Sequence, residues 1–212
     1  MDVLDIGSGT GEVSIPLSER GHVVVGVDPS AEMVSAAESK GPAVTFVNSY
    51  IEEFASNQKF DLFVAANSIH WPDWEVMFPL LKSMSKEKTK LAIVTGGDLI
   101  VSEIQELIVE TVKSFSTTKG FKPYSVVDLL REQGYISNVE VLEIPVETIT
   151  QSSKDYIASF HARNGFSLAR MNAEQAKSFD IEVSNILESA GFKNEVTGIV
   201  IFKVTVADIA NP

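Results

Sequence analysis

The fold is decided by residues 3–11, VLDIGSGTG, in which a short apolar run ends at three glycines. A helical segment follows and closes at Arg20-Gly21, so the glycines occupy a strand-to-helix turn. Glycine adopts backbone conformations closed to other residues and lets a ligand approach the main chain closely. Taken alone, the loop has two interpretations: a tight structural turn, or a binding loop for an anionic group at the beginning of a helix.

Apolar strands alternate with helical segments along the chain. The strands predicted from apolar runs are 3–6, 23–27, 44–47, 60–66, 91–94, 139–146 and 196–206. Strands that are apolar throughout and separated by helices indicate a doubly wound, mostly parallel α/β sheet with helices on both faces. Helical spacing of apolar residues also predicts one long amphipathic helix from Ile100 to Phe115.

We predict one domain over residues 1–212. Residues 151–179 lie between the last two predicted strands and hold one or two helices that the sheet does not require. Such an insertion usually lies over the strand ends, where ligands bind in open α/β sheets. The sequence therefore predicts a helical cap at 151–179 within a single domain.

The charge balance narrows the classes of partner. The 17 Lys and Arg residues against 29 Asp and Glu residues give a net charge of -12, which disfavours binding to nucleic acid or to an anionic membrane. No apolar run reaches the roughly 18 residues of a membrane span, and no basic-then-apolar leader opens the sequence. With no cysteine in the chain, disulfides and thiolate metal sites are excluded. We therefore expect a cytoplasmic protein.

A second acidic position supports the binding interpretation of the glycine loop. Asp28 ends the second predicted strand, about 20 residues after Gly7, where a carboxylate accepts hydrogen bonds from a ribose hydroxyl pair. Asp28 also precedes the helix that begins near Ser30, so its alternative role is a favourable charge at a helix N-terminus. The two roles are compatible.

The loop sequence then distinguishes between nucleosides. The dinucleotide fingerprint requires a small third residue at position 12, which is Glu12 here. Glu12 and Asp5 would both repel a pyrophosphate, which disfavours an NAD-type oxidoreductase. A nucleoside with an amino-acid tail fits better, because its ammonium group suits Asp5 and its carboxylate suits the loop amides.

Residues 2–94 resemble the class I S-adenosylmethionine-dependent methyltransferases, through residues 3–11, the sequence VGVDPS at 25–30, and Met33. The resemblance is strongest to the small-molecule branch related to trans-aconitate and ubiquinone/menaquinone methyltransferases. It implies a seven-stranded, Rossmann-like sheet whose last strand, near 196–206, runs antiparallel between its neighbours. It also implies S-adenosylmethionine as cofactor, and methyl transfer by in-line displacement to O, N or C of a small molecule.

The resemblance also implies which residues bind the cofactor. Asp5 and the glycine loop hold its methionine end, and Asp28 holds the ribose. Ser49 or Tyr50 stands where relatives place an Asp that bonds adenine, so Tyr50 either packs against the ring or lies only at the sheet edge. The full set implied is Asp5, Gly7, Ser8, Gly9, Thr10, Gly11, Asp28, Pro29, Met33, Tyr50, Ile51 and Asn67.

Three residues are candidates for contact with the methyl acceptor. His70 is the candidate catalytic residue, because an imidazole with a pKa near 6.5 accepts a proton from a hydroxyl at neutral pH; otherwise it only orients a loop. Trp71 either contacts substrate or covers the helix after Pro72. Arg163 either binds an acidic substrate or is solvated. No metal site is predicted, since the 3 histidines have no acidic neighbours at ligand spacing.

A non-enzymatic alternative stays open. Relatives carry a few tens of residues before the first strand that close over the cofactor, whereas only Met1 precedes Asp2 here. The resemblance therefore leaves three explanations: a truncated reading frame, a lid supplied by a partner, or a lid supplied by residues 151–179. A binding module without turnover is the corresponding alternative function, and a homo-oligomer is compatible with either.

Overall fold

A computed structural model describes residues 1–118, 124–168 and 170–210. The strands are β1 (Asp2–Ile6), β2 (Val23–Asp28), β3 (Thr45–Asn48), β4 (Phe60–Ala66), β5 (Ser85–Ile100), β6 (Ile136–Leu142), β7 (Glu147–Ser152) and β8 (Glu195–Ile209). The α-helices are α1 (Ser14–Glu19), α2 (Ala31–Lys40), α3 (Trp74–Ser83), α4 (Gln105–Phe115), α5 (Val126–Glu132), α6 (Ser153–Phe160) and α7 (Ala173–Ser189). Short 3-10 helices lie at Ile51–Glu53 and Asn164–Phe166.

The strand order in the sheet is β3-β2-β1-β4-β5-β8-β6, and β7 also pairs with β8. Each pair from β3 to β5 is parallel. Strand β8, the last in the chain, lies between β5 and β6 and is antiparallel to β6. The observed sheet confirms the predicted doubly wound α/β class and its antiparallel last strand.

The chain divides into two compact units. The first comprises Met1–Gly96, Tyr124–Ile144 and Phe202–Pro212, and it contains the glycine loop and all the parallel strand pairs listed above. The second comprises Gly97–Pro123 and Pro145–Ile201, which includes α6 and α7. The single domain with a cap at 151–179 stays a prediction.

Two strands differ from the sequence-based expectation. Strand β5 continues through Gly96 and Gly97, whose φ angles are 102° and 99°, so α4 begins at Gln105 and not at Ile100. Strand β7 makes the sheet eight-stranded instead of seven-stranded. Its sequence, ETITQS, has no apolar run, and its side chains are mostly exposed. Main-chain pairing with β8, and not burial of side chains, holds this strand in the sheet. Apolar patterning cannot detect such a strand.

Successive residues of β1 face opposite sides of the sheet in the first unit. Leu4 belongs to a buried cluster with Met77 and Leu81 of α3, whereas Val3 belongs to a second cluster with Val34 of α2. Helices therefore cover both faces, which explains why this strand is apolar throughout. Because β2, β1 and β4 are adjacent and parallel, their carboxyl ends meet at one edge, where α/β sheets bind ligands.

The second unit is built around the ring of Phe179 on α7. This ring lies 5.7, 5.4 and 5.1 Å, centroid to centroid, from those of Phe115, Phe160 and Phe166. Because Phe115 ends α4 and Phe160 ends α6, the aromatic cluster joins α4, α6 and α7.

Candidate cofactor-binding cleft

A cleft of about 430 Å³ lies in the first unit at the carboxyl ends of β1, β2 and β4. Its volume falls within the range of small-molecule sites, about 300–1,000 Å³. The lining residues are Ile6, Gly7, Val27, Asp28, Pro29, Tyr50, Ile51, Glu52, Ala66, Asn67, Ser68, Trp71 and Pro72. Seven of the fifteen residues predicted for cofactor or substrate are among them: Gly7, Asp28, Pro29, Tyr50, Ile51, Asn67 and Trp71.

The glycine loop requires glycine for two separate reasons. Gly7, Gly9 and Gly11 all have positive φ angles, of 69°, 53° and 84°. At Gly7 an added Cβ would also lie 2.6 Å from the Cβ of Ser68, whereas at Gly9 it would meet nothing within 4 Å. Position 7 is therefore restricted by packing and by conformation, and position 9 by conformation alone.

Four amides of the glycine loop donate hydrogen bonds within the protein, in contrast to the expectation that the loop binds an anionic group. Gly7 and Ser8 donate to the carbonyl oxygen of Val27 over 2.8 and 3.1 Å, and Gly11 donates to that of Ser8. Gly9 donates to Asp28 Oδ2. Helix α1 is only six residues long and lacks a side-chain N-cap. The predicted contact between a ligand carboxylate and these four amides is therefore not supported.

Asp28 performs the structural role considered from the sequence and also lines the cleft. Its Oδ2 accepts the Gly9 amide and its Oδ1 accepts the Ser30 amide, each over 2.9 Å. Ser30 in turn caps α2 by accepting the amide of Met33. Each carboxylate oxygen accepts more than one hydrogen bond, so Asp28 retains capacity for ribose hydroxyls.

Asp5, on β1 two residues before Gly7, is almost completely buried and is not among the residues that line the cleft. Its Oδ2 accepts a 2.6 Å hydrogen bond from the Ser14 hydroxyl, while its Oδ1 is buried without a partner among the described residues. Burial raises the pKa of Asp5 to about 6, against the hydrogen bond from Ser14 and with help from the charge of Asp28. The hydroxyl of Ser8 is likewise buried without a partner. A buried acceptor that lacks a donor is costly unless something supplies one.

The other residues predicted for the cofactor fall into two groups. Tyr50 lines the cleft with 60% of its surface exposed, beside the buried Ile51. Thr10 and the exposed Met33 are outside the set that lines the cleft. The Thr10 hydroxyl donates to Glu12, whose pKa is lowered chiefly by its hydrogen bond from Lys40.

Asn67 and Ser68 join β4 to the rest of the site. Asn67 has a φ of 51°, unusual for a residue other than glycine, and its side chain donates to the carbonyl oxygen of Gly96 over 2.8 Å. The hydroxyl of Ser68 donates to the carbonyl oxygen of Ile6, the residue before Gly7. Sequence reasoning missed Ser68, because only tertiary packing pairs it with Gly7.

His70 and Trp71 follow directly on the same turn. Their ring centroids are 4.8 Å apart, and the Trp71 amide donates to the carbonyl oxygen of Ser68. Burial lowers the pKa of His70, so its ring is neutral at pH 7. Trp71 lines the cleft with 61% of its surface exposed, whereas His70 is not among the lining residues.

Arg163 belongs to the second unit. Its guanidinium lies 3.0 Å from Asp98 Oδ1 and over the ring of Phe160, 4.4 Å from the centroid. This pairing accounts for its charge within that unit. Among the described residues no cluster of His, Asp and Glu has the arrangement of a metal site.

The lining of the cleft fits a nucleoside. Pro29, Tyr50 and Ile51 offer an apolar wall, and Asp28 offers acceptors for hydroxyl groups. Asp5 lies outside this lining; its buried Oδ1, which has no partner among the described residues, is an acceptor that an ammonium group would satisfy. The described part of the chain contains no helix long and apolar enough to cross a membrane.

Comparison with known proteins finds similarity over the part of the chain that contains the residues lining the cleft. The methyltransferase domain family matches residues 3–87. A probable S-adenosylmethionine-dependent methyltransferase of Saccharomyces cerevisiae, CRG1, is 30% identical over 90 residues, or 39% of this chain and 31% of that protein. Trans-aconitate 2-methyltransferase of Escherichia coli is 33% identical over 94 residues, or 43% of this chain and 37% of the enzyme. The matched region thus spans about a third of the length of these relatives.

Solved structures share the fold over nearly the whole chain. A putative type II methyltransferase from Anaeromyxobacter dehalogenans covers 96% of this chain and 88% of its own, with a TM-score of 0.64 at 20% identity. A methyltransferase from Geobacter sulfurreducens in complex with S-adenosyl-L-homocysteine covers 98% and 84%, with a TM-score of 0.52 at 15% identity. Residues 3–87 therefore match the methyltransferase domain family, and the chain shares the fold of these solved methyltransferase structures.

Proposed function

We propose that the first unit binds S-adenosylmethionine in the cleft and that the protein transfers a methyl group to a small-molecule acceptor. The observation that carries the proposal is the position of Asp28. Its carboxylate lines a cleft at the carboxyl ends of parallel strands and also holds the glycine loop of a methyltransferase domain. An acid at this position accepts hydrogen bonds from ribose hydroxyls.

Other residues of the first unit are proposed to bind the rest of the cofactor. Asp5 accepts the ammonium group, which supplies the missing donor for its buried Oδ1. Tyr50, Ile51 and Pro29 pack against the adenine ring, and Asn67 contacts the methionine portion. When bound, the cofactor supplies a methyl group activated by its sulfonium charge.

His70 and Trp71 are proposed to face the acceptor. The lowered pKa of His70 leaves its ring free to take a proton from a hydroxyl or amine at neutral pH. A carboxylate acceptor needs no base, and then holding donor and acceptor in line supplies much of the rate. The comparison with trans-aconitate 2-methyltransferase is compatible with a carboxylate acceptor. Arg163, in the second unit, is proposed separately as a residue that binds an acidic substrate.

Two alternatives make different predictions. An NAD-type oxidoreductase needs loop amides that are free to bind a diphosphate, but the amides of Gly7, Ser8, Gly9 and Gly11 all donate within the protein. A binding module without turnover would retain the cleft and bind the cofactor but transfer nothing.

A small-molecule ligand, without nucleic acid, also agrees with the net charge of -12. Cytoplasmic location and a homo-oligomer stay predictions from the sequence.

Calorimetric titration of the whole chain tests the proposal. We expect S-adenosylmethionine and S-adenosylhomocysteine to bind, and NAD to bind at least about 100-fold more weakly, a difference of about 3 kcal/mol. Tighter binding of NAD, or no binding of either sulfur compound, would contradict the proposal. Methyl transfer to a panel of small carboxylates, phenols and amines then separates an enzyme from a binding module.

A further inference from the structure

Residues 67–73, here called the His70–Trp71 turn, are held firmly at their first end. The Asn67 amide donates to the carbonyl oxygen of Val94 over 2.9 Å. The Ser68 hydroxyl donates to Ile6, and Ser68 packs against Gly7 with no room for a Cβ there. The start of the turn is thereby joined to β5 and to the glycine loop.

The far end of the turn is held by a residue from outside it. Asp73 is the N-cap of α3, and its Oδ1 accepts the amide of Glu75. In a capping box, the side chain of the third helical residue would accept the amide of the N-cap residue itself. That third residue is Val76, which has no acceptor. Instead, the Asp73 amide donates to Oε1 of Glu52 over 2.7 Å.

Glu52 belongs to a different segment of the cleft lining. It is the middle residue of the 3-10 helix Ile51–Glu53, which follows β3, and it lines the cleft together with Tyr50 and Ile51. The His70–Trp71 turn follows β4. One carboxylate therefore joins the loops that follow β3 and β4, two strands that β2 and β1 separate in the sheet, at the edge where the ligand is proposed to bind.

We propose that Glu52 is a positioning residue that fixes the His70–Trp71 turn relative to the loop carrying Tyr50 and Ile51, and so sets the shape of the cleft. The consequence for ligand affinity rests on the function proposed above. The hydrogen bond itself acts in the free protein. Its acceptor atom matters and its charge does not, so a glutamine at position 52 replaces it and an alanine does not.

Three variants of the whole chain test this role: Glu52→Ala, Glu52→Gln and, as a matched control, Glu53→Ala. Glu53 is the exposed neighbour on the same 3-10 helix and carries the same charge. Hydrogen exchange of the ligand-free protein is measured on peptides that cover residues 70–76. We expect Glu52→Ala to exchange roughly tenfold faster there, as for loss of one hydrogen bond. Glu52→Gln and Glu53→Ala are expected to match the parent protein.

Calorimetry with S-adenosylmethionine and S-adenosylhomocysteine follows on the same proteins. Glu52→Ala is expected to weaken both ligands about five- to tenfold, and Glu52→Gln less than about twofold. The positioning role is overturned if Glu52→Ala exchanges like Glu53→Ala, if it leaves both affinities unchanged, or if Glu52→Gln loses S-adenosylmethionine selectively, since that would indicate a charge effect. If the parent protein binds neither compound, the proposed function fails, and hydrogen exchange still decides whether Glu52 holds the turn.

Discussion

The amide of Gly9 donates a 2.9 Å hydrogen bond to Oδ2 of Asp28, which joins the glycine loop directly to the end of β2. One carboxylate therefore both shapes the loop and offers its remaining lone pairs to a ligand in the cleft. A substitution at Asp28 changes both properties, whereas a substitution of the exposed Glu32 on α2 changes neither.

Asp28→Ala is expected to weaken S-adenosylhomocysteine binding about 10- to 100-fold, because it removes charge-assisted hydrogen bonds to the ribose hydroxyls. Asp28→Asn retains one oxygen acceptor, so its affinity should lie between those of the parent protein and Asp28→Ala. Glu32→Ala removes an exposed acid from the first turn of α2 and serves as the control for net charge. Calorimetry on the four proteins measures the effect, and an Asp28→Ala affinity equal to that of the control would refute the ribose assignment.

Gly7 and Gly9 give a matched pair for the packing of the loop. Gly7→Ala places a Cβ 2.6 Å from that of Ser68 at a φ of 69°, whereas Gly9→Ala has open space at a φ of 53°. We expect the free energy of unfolding to fall by about 1–2 kcal/mol for Gly9→Ala and by about 2–5 kcal/mol for Gly7→Ala. Urea denaturation measures both. Equal losses would mean that Ser68 moves aside freely.

Sequence reasoning could identify the first half of the site because local features encode it. The glycines, the strand that ends at Asp28 and the cap at Ser30 all lie within 28 residues of Asp2 on one strand–helix–strand unit. The spacing between the glycines and the acid after the second strand is typical of loops that bind nucleosides or nucleotides. The parallel sheet was predictable for the same reason, since strands covered on both faces are apolar throughout.

The residues that hold the loops together could not be predicted in this way. Ser68 packs against Gly7, and Glu52 accepts the amide of Asp73, but neither pair has a spacing that any periodicity expresses. The hydrogen bonds of the Gly7 and Ser8 amides within the protein could not be predicted either, because they depend on the position of the Val27 carbonyl in the folded chain. Tertiary contacts of this kind emerge only when the chain is folded.

Asp5 gives a pH dependence whose sign can be worked out. Its pKa is about 6 in the folded protein, against 3.8 for an unperturbed side chain, chiefly because of burial. Between these values the folded chain binds more protons than the unfolded chain, so the free energy of unfolding falls as pH rises from about 4 to about 6. A shift of this size corresponds to about 3 kcal/mol.

Asp5→Asn separates the cost of this charge from its use. The neutral amide should make the protein more stable than the parent above pH 6, by up to about 3 kcal/mol, and the advantage should shrink as the pH is lowered towards 4. The same variant should bind S-adenosylmethionine more weakly, since it has lost the partner of the ammonium group. Urea denaturation between about pH 4.5 and about pH 8 measures the stability, and calorimetry at about pH 8 measures the binding. An Asn variant that binds as tightly as the parent would leave Asp5 without a role in the cleft.

His161, in the second unit, provides a second pH dependence of the same sign, in which stability also falls as pH rises. Its Nδ1 lies 2.8 Å from the carbonyl oxygen of Phe166 and its Nε2 lies 2.8 Å from Asp180 Oδ1. Both partners are acceptors, so only the protonated ring donates to both. Burial alone would lower the pKa of His161, but these two acceptors outweigh it and raise the pKa above 6.5.

The contribution of His161 is therefore fully present below pH 6.5 and is lost as pH rises through the raised pKa of the folded protein. Asp180→Asn should lower stability at pH 6 and reduce the loss between pH 6.5 and 8, because the amide no longer favours the charged ring. Glu182→Gln, two residues further along α7, removes an exposed charge and is the control. Thermal unfolding of the three proteins at pH 6 and pH 8 measures the difference. If Asp180→Asn keeps the parent's pH dependence, the charged His161–Asp180 pair contributes nothing to the stability of α6 against α7.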